Sequence, residues 1–136
     1  MSQAFRYCLL LSITFSLVVC TGCSDGLPYK VVPFEGTISY KGEPLENISV
    51  EFAVGDYRTS GCFIAVGDQG KFKAIHSPSI VGIPVGQCTM KVGWGGGEGS
   101  TPPGKYPELF AKYGYTSAGY TFEVTKAEKG FKIDLE

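Results

Sequence analysis

The sequence predicts an all-β domain, a two-sheet β-sandwich of about seven strands, carried behind an export signal. Three observations predict it. Short segments alternate apolar and polar residues with a period of two, 19 glycines and 8 prolines punctuate them, and no stretch sustains a helical period. A closed barrel built from the same strands is the main alternative architecture.

The N-terminal residues do not belong to that pattern. Arg6 precedes an apolar run from Tyr7 to Val19, which is followed by the small residues Thr21 and Gly22 and then Cys23. The run is shorter than the roughly 20 residues a spanning helix needs, so residues 1–22 read as a cleaved export signal. Residues 23–33, with Pro28 and Pro33, read as an extended tether, and residues 34–136 as one domain with a single core.

Within the domain, Phe34, Gly36, Ile38 and Tyr40 share one face of a first strand. Lys41-Gly42-Glu43-Pro44 supplies a turn, and Ile48, Val50 and Phe52 alternate with Ser49 and Glu51 in a second strand. Cys62 to Val66 is a third. Gly67-Asp68-Gln69-Gly70 suits a tight hairpin, after which Lys71 to Ile75 is expected to pair back on the third strand. Cys88, Met90, Val92 and Trp94 line one face of a fifth strand, Tyr120, Phe122 and Val124 of a sixth, and Phe131, Ile133 and Leu135 of a seventh. Between them, residues 93–119 form a long glycine- and aromatic-rich loop. Its one helical candidate is Glu108 to Tyr113, preceded by Pro107 at a position suited to a helix start.

Two resemblances add to this reading. Cys20-Thr21-Gly22-Cys23 resembles the bacterial lipobox, with Gly22 at the small position before cleavage and Cys23 as the lipid acceptor. It implies palmitate on Cys23, a membrane partner through that anchor and a place in the cell envelope. Ser24, rather than an aspartate, points to the outer more than the inner membrane. Phe34-Glu35-Gly36-Thr37-Ile38, then Gly42-Glu43-Pro44-Leu45, Ile48 to Phe52, Gly67 to Phe72 and Pro84 to Val92 resemble, in that order, the carboxypeptidase regulatory-like domain of the transthyretin-like family. That resemblance implies a prealbumin-like sandwich serving as a surface or accessory module, and it carries over no catalytic residue. Cys88 departs from it, standing where the family commonly has tyrosine.

Candidate site residues are few. His76 is the sole histidine, so a multi-histidine metal site is excluded, and its place beside Ser77-Pro78 reads as a surface loop. Asp68 is explained by turn geometry. Gly95 to Ser100 lacks the Gly-Lys-Ser/Thr ending of a phosphate loop and reads as flexible backbone. Lys41 and Asp134 are the nearest formal pair for an internal isopeptide bond, but Asp134 alternates with core residues and should face solvent.

Cys62 and Cys88 remain in the mature chain. Export favours a disulfide between them, and two buried thiols are the alternative. Trp94, Tyr106, Tyr113 and Tyr115, with Phe110, form a possible binding surface, or else fold the long loop back over an open sheet edge.

A formal charge of −1 gives no electrostatic reason to expect nucleic acid. The residues thus suggest a non-catalytic, cofactor-free envelope lipoprotein whose sandwich supports structure or binding, with an envelope protein or polysaccharide as partner. A carbohydrate-binding or enzyme-accessory module is the second reading.

Overall fold

A computed structural model describes residues 26–95 and 103–136 of the chain. The expected export signal, Cys23 and most of the Gly95 to Ser100 run lie outside the described residues. The protein is an all-β sandwich. Its strands are β1 (Val31–Val32), β2 (Phe34–Tyr40), β3 (Glu43–Pro44), β4 (Ile48–Val54), β5 (Ser60–Ile64), β6 (Lys71–Lys73), β7 (Ile75–Ser77), β8 (Ile80–Val81), β9 (Ile83–Pro84) and β10 (Gly86–Trp94). One short helix, α1 (Pro107–Tyr113), then precedes β11 (Tyr120–Val124) and β12 (Glu128–Leu135).

The larger sheet has the order β11-β10-β4-β5-β7-β8, with antiparallel neighbours throughout. The smaller sheet centres on β2, which pairs in parallel with β12 and antiparallel with β3 and β6. β1 pairs separately with β9.

The two sheets pack because each strand's alternation buries one face. Ile48, Val50, Phe52 and Val54 of β4 and Cys88, Met90 and Val92 of β10 face Phe34 and Ile38 of β2, Phe72 of β6, and Ile133 and Leu135 of β12. Aromatic rings bridge the sheets. Phe52 lies 5.5 Å from Phe72, and Phe122 lies 5.7 Å from Phe34 and 5.1 Å from Phe131.

The segment 67–70 does not close the expected hairpin onto the third strand. Lys71–Lys73 pairs instead with Glu35–Thr37 of β2, in the other sheet, and only Ile75 returns to pair with Gly61. The reason is the tight turn. The Asp68 carboxylate accepts the Ala65 amide at 2.9 Å, Gln69 and Gly70 take positive φ, and the Gly70 carbonyl accepts the Ile38 amide at 2.9 Å. A β-carbon at Gly70 would sit 2.4 Å from the Ile38 carbonyl oxygen, so this crossing requires glycine. Once across, Phe72 faces the core.

The expected disulfide is also corrected, since both cysteines are free. Cys62 pairs with Val50 on one side of β4, and Cys88 pairs with Val54 on the other. An intervening strand sets them about 9–10 Å apart laterally, and four residues of register add roughly 13 Å. Bonding requires Cα atoms within about 7 Å. Burial pushes both thiols up to about 12.

Candidate functional site

His76 is a core residue, 2% exposed, and not the surface-loop residue its sequence neighbours suggest. β7 places it inside the fold by alternation: Ile75 is exposed and His76 is buried. Its Nδ1 lies 2.8 Å from the Ser60 hydroxyl, and its Nε2 lies 2.8 Å from the Tyr29 hydroxyl. The Tyr29 ring stacks on Tyr57 with centroids 4.0 Å apart and meets the imidazole edge-on. Burial and the positive charge of Arg58 lower the imidazole pKa below its ordinary value and hold it neutral. Ser60 is 1% exposed, so this serine–histidine contact has no approach for a substrate. Its effect is mechanical, fastening the N-terminal segment to the sandwich.

That segment is docked well before residue 34. The Lys30 carbonyl accepts the Val85 amide at 3.0 Å, β1 pairs with β9, and the Pro33 carbonyl accepts the Glu128 amide at 3.0 Å. The tether expected over residues 23–33 is therefore part of the folded domain from Tyr29 onward.

The aromatic residues of the long loop divide between two roles. Tyr113 is buried and donates its hydroxyl to the Glu136 carbonyl at 3.1 Å. Tyr106 is half-buried and meets Tyr40 edge-on, and Phe110 packs on the core beside the fully buried Leu109. These residues close one end of the sandwich. Trp94 and Tyr115 stand about half exposed. The Tyr115 ring occupies the space a β-carbon would need at Gly93, and its hydroxyl bonds Ser49 at 3.0 Å. Phe63, which sequence reasoning missed, covers Gly95 in the same way. Its signal was available, since Phe63 lies between the inward-facing Cys62 and Ile64 and so must point outward.

Register extends this group across the outer face of the larger sheet. Ser49 pairs with both Gly93 and Phe63, Gly61 pairs with Ile75, and Ile75 pairs with Val81. Tyr115, Phe63, Ile75 and Val81 thus form an exposed apolar strip. Beside it, where β6 leaves β5, lies a cleft of about 410 Å³ lined by Cys62, Phe63, Phe72 and Ile75, with Lys71 and Lys73 among its polar residues. Lys73 is 3.6 Å from Glu35.

The formal isopeptide pair lies close along the backbone, where the Lys41 amide donates to the Leu135 carbonyl at 2.8 Å, but the two side chains take other partners. Lys41 meets Glu108 at 2.8 Å, whereas Asp134 accepts from the Ser39 hydroxyl. Among the described residues no three His, Cys, Asp or Glu side chains are placed to hold a metal, and no helix is long and apolar enough to cross a membrane. Comparison with family models, curated proteins and solved structures finds no match to this chain.

Proposed function

We propose that this chain is an envelope lipoprotein, anchored through Cys23, whose sandwich is a non-catalytic binding module of the carboxypeptidase regulatory-like, transthyretin-like kind. The observation that carries the reading is the exposed apolar strip of Tyr115, Phe63, Ile75 and Val81. Contiguous apolar surface of this kind costs solubility and marks interaction sites. The Gly93 and Gly95 seats also hold two of its rings in place before any partner arrives. The strip fits an envelope protein as partner.

The test has two parts. Metabolic labelling with a palmitate analogue is expected to mark the wild type and not Cys23→Ser. A photo-crosslinking residue at Phe63 or Ile75 is expected to yield a discrete adduct in cells, while one at Glu123, a polar position on the same face, yields none. Equal labelling of wild type and Cys23→Ser would end the anchoring claim. Indistinguishable crosslinking from all three positions would end the binding claim.

The second reading, a carbohydrate-binding or enzyme-accessory module, is favoured by Trp94, about half exposed at the end of β10. Saturable quenching of this sole tryptophan by a polysaccharide fragment would select it.

A further inference from the structure

We infer that the docked N-terminal segment orients the sandwich on its membrane, holding the Tyr57 and Arg58 end against lipid headgroups and turning the Trp94 end away. This rests on the proposed anchoring at Cys23. The argument begins with reach. Tyr29 is fixed by its stack on Tyr57 and its hydrogen bond to His76, and only five residues, six Cα–Cα steps, separate it from Cys23. Fully extended, that stretch spans at most about 22 Å.

Direction follows from strand register. Tyr57 bonds back to Val54, at the C-terminal end of β4, whereas Trp94 pairs with Ile48 at its N-terminal end. The rise along β4 separates these ends by roughly 20 Å. A bilayer touching Trp94 would need the segment stretched along the whole flank of the domain. A bilayer touching Tyr57 needs no extension at all.

The surface chemistry at the near end agrees. Leu27 and Tyr57 are exposed hydrophobic residues, Lys30 and Arg58 are exposed cations within three residues of them in the chain, and the exposed Asp56 offsets one of those two charges. An aromatic ring with a polar tip suits the headgroup region, and cations are drawn to anionic lipid. The occupant of this surface is therefore the lipid headgroup layer, and the Trp94 end is left free for other contacts.

The mature lipidated protein, reconstituted in phosphatidylethanolamine–phosphatidylglycerol vesicles carrying headgroup-level spin-labelled lipid, tests the inference by tryptophan quenching. In a Trp94→Phe background, Tyr57→Trp and, separately, Leu27→Trp are expected to lose emission to the quencher. Trp94 in the otherwise unaltered chain is expected to keep its emission. Inserting a flexible glycine–serine linker between Asp25 and Gly26 lengthens the tether without touching the docked residues and is expected to let Trp94 approach the quencher while the protein stays vesicle-bound. Quenching of Trp94 equal to that at positions 57 and 27 would overturn the orientation. An unchanged Trp94 signal in the chain with the longer tether would overturn the part assigned to the short tether. Protein that carries no acyl chain and washes off the vesicles would sink the anchoring and this inference together, a result distinct from misorientation of a bound protein.

Discussion

At the residue scale, His76 decides how the fold responds to acid. Its imidazole is held below the ordinary 6.5 by burial first and Arg58 second. As pH falls through 6.5 the unfolded chain takes up this proton before the folded one does, so stability is full above that value and declines below it. The decline levels off once the folded imidazole itself protonates. The urea midpoint should therefore fall between about pH 7.5 and pH 5.5, and His76→Gln should flatten the histidine part of that slope. The same variant should cost about 1–3 kcal/mol at neutral pH, because it disturbs hydrogen bonds to the buried Ser60 and to Tyr29. Cys62 and Cys88 make a second residue-scale prediction. With both thiols pushed up to about 12, the native chain from Gly26 onward should react slowly with a thiol reagent near neutral pH, and both should react once urea unfolds it. Intact mass after alkylation counts them, and a native oxidised pair would contradict the register. For the cysteines the sequence favoured the disulfide and left two buried thiols as the alternative that the structure shows, whereas the His76 site was not legible. Local context around His76 is polar, and its partners Ser60 and Tyr29 lie 16 and 47 residues away, where no periodicity points.

At the scale of elements, alternation was a good guide to which face of a strand is buried and a poor guide to which strand lies beside it. The inward sets expected on β4, β10 and β12 are the buried sets, because the period of two follows from backbone geometry alone, except that Trp94, expected on the inward face of β10, is 48% exposed and Phe131 of β12 is only partly buried. Pairing depends on where the chain goes after each turn. The turn at residues 67–70 was marked in the sequence, but its crossing to the other sheet and the parallel match of β12 with β2 were not, since the choice of partner comes from long-range packing. The short helix was legible for a local reason, Pro107 opening an otherwise helix-competent run. Its role was half legible: Leu109 is a core residue with no exposure, so α1 caps the sandwich rather than floating on a loop. Leu109→Ala should lower stability by about 2–5 kcal/mol, read as a shift of the urea midpoint, through the cavity it leaves. Glu108→Ala, which breaks only the exposed contacts with Lys41 and the Tyr40 hydroxyl, should leave that midpoint close to wild type.

At the scale of the whole molecule, residues 29–33 join the two sheets. Lys30 bonds to Val85 just before β10 of the larger sheet, and Pro33 bonds to Glu128 at the start of β12 of the smaller one. Between them Val32 is 4% exposed and packs in the shared core. A segment that looks like a linker by composition is thus a clasp, because proline lacks only the N–H, so Pro33 still offers its carbonyl to Glu128, and the two valines supply the pairing with Ile83 and Pro84. A chain beginning at Phe34 should consequently be less stable than one beginning at Gly26. Burial of Val32 alone is worth about 1.5–3 kcal/mol, and the lost backbone bonds and the Tyr29–His76 contact add to it. Paired urea titrations of the two chains measure the difference. Hydrogen exchange locates it: in the shorter chain the amides of Val85 and Glu128 should lose protection, while those paired between β4 and β10 keep more of theirs. Equal midpoints for the two chains would mean that residues 26–33 only follow the fold, and that the sheets hold together without them.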